Sequence, residues 1–442
     1  MAGADRGPPC HDAEAPPQAS ERFVVLIGGS EGKRRLLEEY LQQYGIRLVF
    51  CPSNMMQDRG SMHMKAEIEQ FLASNDPTVC RSVVGVATFM DATIAGADEL
   101  ARLFSVPCND AATSLCRRNK ASMHEALRSV GVESMRQMPT ASVSEATLWA
   151  REHGYPVVVK PVDSSGSDGV RVCRCDQDIE QAVASVLNVV NAEGSMNTMV
   201  VVEELLQGVE FVVNTVSLNG HHCITDVWTG PPKCQPDGVG VIFDRQDLAA
   251  PNQDLVEYSF AVLDALHLRH GAAHLEIMVT ERGPVLIECN ARASGDLPRC
   301  RASLGRDQLE VLAMSLADPA AFLSLPQEPP PCTMQMAAIF LRSDCDGILP
   351  ASSLERLSEL RTFQAFGRHL RNFRPPTGKP GMRFRDVRVG PTDCLSTCPG
   401  VVLLGCADAG VLEEDVQRIR DWEATDLYCA LEAAGENGEN FQ

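Results

Sequence analysis

No apolar run in this 442-residue chain reaches the roughly 18 residues that a membrane-spanning helix needs, so no membrane partner is expected. Positive charge is also scarce. With 39 Lys and Arg against 59 Asp and Glu, the net charge of −20 argues against nucleic acid or an anionic membrane surface as a partner. The opening stretch, MAGADRGPPCHDAEAPPQASER, has no apolar h-region, so no signal peptide is expected and the location expected is cytoplasmic. A disulfide framework is missing too: the 17 cysteines are scattered through a long chain, and reduced thiols in the cytosol account for them better. Cys173/Cys175 and Cys394/Cys398 have no second pair at zinc-ribbon spacing, which excludes a zinc site there. No internal repeat is apparent.

What is present reads as two or three globular domains, with 44% hydrophobic and 22% charged residues in ordinary proportion. Residues 1–20 are Pro/Ala/polar and expected to be disordered. Phe23 to Ile27 is a buried-type strand, Gly28-Gly29-Ser30-Glu31-Gly32 turns it into an amphipathic helix, and Ile46 to Phe50 is a second strand. Helix 61–74, strand Ser82 to Val86 and helix 93–104 continue this alternation, as in a doubly wound domain. The glycine turn does not have G-x-G-x-x-G spacing, so a domain without a nucleotide at that turn is favoured over a dinucleotide site. Pro-rich 326–331 reads as a linker, and Thr333 to about 430 as β-rich with a helix near Val411 to Trp422.

The stretch Ala272 to Pro298 holds the densest chemistry. Two short apolar runs flank Glu281-Arg282-Gly283, which predicts a hairpin with glycine at the left-handed position. Pairing symmetric about Arg282 sets Glu276 opposite Glu288 and His274 opposite Asn290, all on one face. Leu275, Ile277, Val285 and Ile287 are then expected on the other, core-facing side. Facing carboxylates repel by several tenths of a kcal/mol. A divalent ion would neutralise them, with Asn290 as a third oxygen ligand, and hard oxygen donors suit Mg²⁺. The hairpin by itself reads more readily as a solvated acidic ribbon than as a metal site.

Upstream lie groups that could meet an anion. Arg117-Arg118-Asn119-Lys120 opens a helix with Met123, Ala126, Leu127 and Val130 on one face. Lys160 closes the apolar strand Tyr155 to Pro161, where a lysine is costly unless an anion meets it. The loop that follows, Ser164-Ser165-Gly166-Ser167-Asp168-Gly169, is small and hydroxylated, so its N–H groups can approach phosphate oxygens. It is not a Walker A loop, since the lysine precedes it.

These pieces, in this order, resemble the ATP-grasp superfamily. The matching residues are Asn119-Lys120, Val159-Lys160-Pro161 with Gly166-Ser167-Asp168-Gly169, Glu203-Glu204-Leu205-Leu206-Gln207-Gly208-Val209-Glu210, then Glu276 and Glu288-Cys289-Asn290-Ala291-Arg292. The match covers roughly 112–318. His274-Leu275-Glu276 and Gly295-Asp296-Leu297-Pro298 look like the L-amino-acid ligase (dipeptide synthetase) group.

The resemblance implies a mixed α/β and α+β fold. Its parts would be an N-terminal Rossmann-like domain at 21–111, an ATP-grasp domain at 112–325 with a lid at about 138–204, a small β-rich C-terminal subdomain at 333–430, and a disordered tail at 431–442. It implies that Lys120 and Lys160 hold ATP phosphates beneath a lid loop containing Ser165, Gly166, Ser167 and Gly169. Glu203 and Leu206 would face adenine, with backbone bonds from Glu204 and Leu205, and Glu210 would take the ribose. Glu276, Glu288 and Asn290 would hold two Mg²⁺ ions, with Mn²⁺ as an alternative, and Arg292 would meet the transferring phosphate.

The activity implied is ATP-dependent carboxylate–amine ligation through an acylphosphate, releasing ADP and phosphate. Its partners are a small-molecule acid and amine, and a homodimer is one option for the assembly. The alternatives are a ligase or carboxylase of purine or cofactor metabolism, or an ATP-binding protein without catalysis. Some members carry arginine at the His274 position, so that histidine is read as a metal-site orienter, a substrate contact or, marginally favoured, a structural residue. Asp226, Trp228 and the loop Gly230 to Gly240 are expected beside the acceptor pocket by topology alone.

Overall fold

The computed structural model describes residues 20–73, 80–234, 243–295, 300–367, 385–392 and 395–430. The expected tails apart from Ser20, most of the 230–240 loop, Cys394 and Asp296-Leu297-Pro298 lie outside the described residues. Three parallel strands open the chain: β1 (Ser20–Ile27), β2 (Ile46–Cys51) and β3 (Cys80–Thr88), in the order β2-β1-β3. Val24 to Ile27 are fully buried, as a central parallel strand covered on both faces requires. Helices α1 (Glu31–Gln42), α2 (Ser53–Leu72) and α3 (Ile94–Leu103) complete this layer. The α2 helix starts earlier than the 61–74 pattern suggests, because two helical pieces meet across a kink at Gly60, whose φ is +75°.

The helix after the cationic run is α4 (Lys120–Ser129), capped by Asn119 Oδ1, which accepts from Ser122 N at 3.0 Å. It stops one residue short of Val130, which is therefore 63% exposed rather than part of the buried face. The cations before it diverge. Arg117 is fully buried against Asp98 at 2.7 Å, Arg118 reaches Asp163 at 2.6 Å, and Lys120 turns into a cavity.

Next comes a four-stranded antiparallel sheet with two helices on one side. Its elements are β4 (Gln137–Thr140), α5 (Val143–His153), β5 (Val157–Pro161), β6 (Arg171–Cys173), α6 (Asp176–Val186) and β7 (Val200–Glu204), with strand order β4-β7-β5-β6. Trp149, Ile179, Val183 and Val186 of the helices pack on Val157, Val159, Val200 and Val202 of the strands.

The remaining chain builds around one large sheet. In chain order the elements are β8 (Val209–Leu218), β9 (His221–Gly230), β10 (Arg245–Ala249), α7 (Gln253–Ala265), β11 (Gly271–Thr280), β12 (Gly283–Asn290), α8 (Arg301–Leu304), α9 (Gln308–Ala317) and α10 (Pro319–Leu323). After them come β13 (Gln335–Phe340), β14 (Gly347–Leu349), α11 (Ala351–Ser358), β15 (Phe363–Gly367), β16 (Val387–Val389), β17 (Val401–Cys406), α12 (Ala409–Thr425) and β18 (Cys429–Ala430). Eight strands join in the order β12-β11-β8-β9-β10-β13-β17-β15, so the C-terminal β-rich stretch extends the central sheet through the β10–β13 ladder. A small sheet β16-β14-β18 lies apart. The Pro-rich 326–331 stretch is tied down at its start: Ile224 N donates to Gln327 O at 2.7 Å, and the Gln327 amide donates to His222 O at 3.1 Å. No helix among the described residues is long and apolar enough to cross a membrane.

Candidate active site

The β11–β12 hairpin pairs His274 with Asn290 and Glu276 with Glu288, as the symmetric register predicts. Two departures from symmetry cancel to give that result. The link is Glu281-Arg282 alone, with Thr280 paired to Gly283 at φ +95°, which shifts the register by one residue near the turn. A bulge between Glu276 and Ile277 then restores it. Between turn and bulge the faces are exchanged. Leu286 joins Leu275 and Ile277 in the core, whereas Val285 clusters with Met278, Leu206 and Met135, and Ile287 lines the cavity. Val285 and Ile287 are therefore not on the core face expected of them.

The hairpin forms one wall of a cavity whose other walls are β5, β7 and the loop after β5. At the apolar end, Met135, Val158, Leu206, Met278 and Ile287 leave a slot beside the β7–β8 connection. Gly208 in that connection passes so close to the hairpin that a Cβ would sit 2.0 Å from Val279 O, so only glycine fits. Glu204 donates its backbone N–H to Arg136 O at 3.1 Å. Its carboxylate accepts from Arg136 Nη2 at 2.6 Å and Arg282 Nη2 at 2.7 Å, tying the four-stranded sheet to the hairpin tip.

Lys160 and Glu203 meet across β5 and β7, with Nζ 2.6 Å from Oε1 and both residues buried. Burial disfavours the charge on Lys160, but Glu203 and Glu288 outweigh it and hold its pKa above the ordinary value. Burial likewise pushes Glu203 up, with Lys160 pulling the other way. The second Glu203 oxygen, Oε2, is buried without a hydrogen-bond partner, and Glu203 is one of the residues lining the cavity. A buried acceptor of that kind costs about 1–3 kcal/mol unless a donor meets it. An exocyclic amine of a base is such a donor.

The glycine loop has Gly166, Ser167 and Gly169 in the left-handed region, at φ of +66°, +65° and +68°. It is stitched to the 191–197 turn. Asp168 Oδ2 accepts from Ser164 Oγ at 2.8 Å and Ala192 N at 3.0 Å, Ser165 bonds Glu193, and Asn191 donates to Asp163 O at 2.7 Å. Lys120 Nζ donates to Ser164 O at 2.7 Å and to Glu288 Oε1 at 3.0 Å. Also on α4, His124 is fully buried and lowered to about 3, first by burial and then by Lys160, with the Ile287 carbonyl opposing.

Two lysines neutralise the facing carboxylates. Lys120 holds Glu288, while Lys233 sits 2.7 Å from Glu276 Oε1 and 2.9 Å from Glu210 Oε1. Burial opposes the Lys233 charge, but the two carboxylates keep its pKa well above the ordinary value. Burial would raise Glu276, yet Lys233 and His274 hold it far below the usual carboxylate range. Lys233 carries no motif of its own, and its place in a Pro-Pro-Lys-Cys stretch gives no signal of burial.

Past Glu288 the wall continues to Arg292. Asp91, just after β3, accepts from Arg292 Nε at 2.7 Å. With its amide nitrogen facing them, Asn290 donates to Asp91 Oδ1 and Glu288 Oε1, each at 3.2 Å. Asp91 is a site residue that sequence reasoning missed, because nothing in its spacing links it to a segment some 200 residues away. Lys120, Lys160, Ser164, Gly166, Ser167, Glu203 to Leu206, Glu210, Glu276, Glu288, Asn290 and Arg292 all line the one cavity, whereas Ser165 and Gly169 do not. The glycine turn after β1 is closed by packing: side chains at Gly28 or Gly29 would collide with Met90 or Phe89. Among the described residues no three His, Cys, Asp or Glu side chains are gathered closely enough to hold an ion.

Residues 153–301 match the model of the ATP-grasp domain family. The chain is 29% identical over 447 residues to dapdiamide A synthase of Enterobacter agglomerans, covering 93% of this chain and 98% of that one. Its fold is similar to that of an L-amino acid ligase from Bacillus licheniformis (TM-score 0.69, 17% identity, covering 91% of this chain and 97% of that one). A similar likeness holds to a carboxyaminoimidazole ribonucleotide synthase from Aspergillus clavatus complexed with ATP (TM-score 0.63, 14% identity, 91% and 98%).

Proposed function

We propose that this chain, which carries an ATP-grasp domain, is an ATP-dependent carboxylate–amine ligase that forms an amide bond between amino acids, or between an amino acid and a related acid. The observation that carries the reading is the convergence, in one cavity, of two buried lysines, an unsatisfied Glu203 oxygen, the glycine loop and the Glu276/Glu288/Asn290/Arg292 wall. The full-length similarity to dapdiamide A synthase supports ATP-dependent amide-bond formation.

In this reading Glu203 Oε2 and the backbone from Glu204 to Leu206 take the adenine edge, and the slot of Val158, Leu206, Met278 and Ile287 takes its faces. Glu210 takes the ribose once Lys233 moves aside. Lys120, Lys160 and the N–H groups of the 164–169 loop offset triphosphate charge, which spreads further as the γ-phosphoryl group leaves. Glu276, Glu288 and Asn290 are hard donors on one wall, and each carboxylate already binds a cation, Lys233 or Lys120. They fit divalent ions, with two Mg²⁺ as the expected complement and Mn²⁺ as an alternative. Such ions, held by these residues, would supply charge neutralisation for the triphosphate. Arg292, aimed by Asp91, presents its guanidinium to the phosphoryl group.

A carboxylate oxygen attacks the γ-phosphorus and the bond to ADP breaks. The amine nitrogen then attacks the acyl carbon and loses a proton, and phosphate leaves. The enzyme contributes mainly positioning and electrostatics. The test is turnover with an ¹⁸O-labelled carboxylate over a panel of amino acids. One label should appear in the phosphate alongside ADP. AMP with pyrophosphate would overturn the mechanism, and bicarbonate-dependent phosphate release without an amine would point to a carboxylase instead.

A further inference from the structure

Between α6 and β7 the chain makes a tight turn at 191–197, and no residue of that turn lines the cavity. Asn191 is buried at its start, and every hydrogen-bonding group of its side-chain amide is used. The oxygen accepts from Glu193 N and Ser195 N, both at 3.0 Å, which closes the turn. The nitrogen donates to Asn197 Oδ1 at 2.9 Å and to Asp163 O at 2.7 Å. Three of these partners are backbone groups, two N–H donors and one carbonyl acceptor. They fix which end of the amide is which without any choice of protonation state.

The Asp163 carbonyl stands at the entrance to the glycine loop, and two further ties follow along it. Ser165 donates to the Glu193 carboxylate, and Asp168 Oδ2 accepts from Ala192 N at 3.0 Å as well as from Ser164 Oγ at 2.8 Å. The turn therefore holds the loop at 163, 165 and 168. Between the last two ties lie Gly166 and Ser167, which line the cavity. Ser167 has a Cβ, and its φ of +65° persists only where the surroundings over-determine it. From the cavity side the loop is held by Lys120 Nζ, which donates to Ser164 O at 2.7 Å. A lysine that turns to a phosphate gives that bond up, whereas the ties from the turn stay in place.

We propose that Asn191 is a positioning residue: the turn it closes pre-organises the 164–169 loop for the triphosphate of a nucleotide that the turn itself does not touch. The proposal rests on the reading of the cavity as an ATP site and adds an element outside the cavity to it. A loop that is competent for only a fraction of the time weakens ligand binding by that fraction. Loss of the brace is therefore read in nucleotide affinity. Glu193 gives the effect its sign. Removing a carboxylate beside a loop that binds phosphate would tighten binding by charge alone, whereas removing a brace weakens it.

The experiment pairs calorimetry of a non-hydrolysable ATP analogue with Mg²⁺ and hydrogen exchange of the peptide spanning 164–169, on the full chain. In Asn191→Ala and in Glu193→Ala, exchange at 164–169 should be faster than in the parent when no nucleotide is present. Affinity for the analogue should fall about 10-fold in Asn191→Ala and about 3-fold in Glu193→Ala, with circular dichroism unchanged. If Asn191→Ala does not fold, Glu193→Ala carries the test, since its carboxylate leaves the turn's own amide bonds intact. Faster exchange with equal or tighter binding, or weaker binding with exchange like the parent's, would overturn the brace and leave the ligase reading standing. A parent chain that binds no analogue would overturn both.

Discussion

Lys233 places its ammonium nitrogen 2.7 Å from Glu276, the carboxylate that faces Glu288 across the hairpin. One buried lysine thus occupies both the carboxylate assigned to metal and, at 2.9 Å, the carboxylate assigned to ribose. In the proposed reading, ligand and lysine would compete for the same oxygens. Lys233→Met should lower the thermal midpoint of the unliganded protein, since stripping one partner from a buried pair costs about 3–5 kcal/mol. Added Mn²⁺ should raise that midpoint more in the variant than in the parent, because no ammonium has to be displaced. Equal shifts in a differential scanning fluorimetry titration would count against the competition.

The same pair sets an acid limit. Glu276 is held below its unfolded value, so the unfolded state binds more protons in acid and stability rises with pH there. The contribution is complete above the ordinary carboxylate value of about 4.3, and falls away as pH drops from there through the lower folded value. Lys233, raised above its ordinary value of about 10.4, loses its share only as pH climbs beyond that value toward the folded one. With Lys233 removed, burial raises Glu276 instead, so the variant is relieved by protonation in mild acid. The difference in urea midpoint between parent and Lys233→Met should therefore narrow as pH falls from neutral toward about 4. A difference that stays flat from about pH 7 down to about 4 would contradict the assignment.

His124 acts over a higher window. Its folded pKa of about 3 lies under the unfolded 6.5, so the unfolded state takes the proton first as pH falls. Between those values the protein loses stability with acid. His124→Leu should flatten the loss between pH 6.5 and 4.5 in urea titrations, whatever it does to stability at pH 8. An unchanged slope would remove His124 as the source.

Asp91 aims Arg292. Asp91→Asn removes a charge-assisted bond worth about 1.5–3 kcal/mol, so kcat should fall by roughly 10–150-fold with little change in KM for ATP. Arg292→Lys keeps the charge and loses the planar fork, and should cost at least as much. A KM effect on ATP without a kcat effect, in steady-state assays with the best acid and amine pair, would place Arg292 in nucleotide binding instead.

The pairing of the hairpin was legible in the sequence because period-two alternation and a glycine turn are local signals. Glu276 and Glu288 came out opposite each other, yet Val285 and Ile287 were assigned to the wrong side. A short link and a bulge shift register in opposite senses, and neither leaves a mark in composition. Lysines at the start of α4 and the end of β5 were legible because each sits where a charge needs a reason. Lys233, Asp91 and Asn191 were not, since each reaches the cavity or its loop through contacts that only the assembled chain creates. Nor does any strand announce its neighbour: the ladder from β10 to β13, which merges the C-terminal strands with the cavity's own sheet, depends on pairing between segments about 90 residues apart.

That merger governs how the enzyme can be recombined. A chimera exchanging Gln335 onward would cut the β10–β13 ladder and expose a fresh edge on the sheet that carries Glu276. One exchanging Gln137 to Glu204 would cut no ladder between named strands, because β4 to β7 pair only among themselves among the described residues. The interchangeable cassette is therefore the sheet that carries the glycine loop, while the C-terminal strands travel with the floor of the cavity.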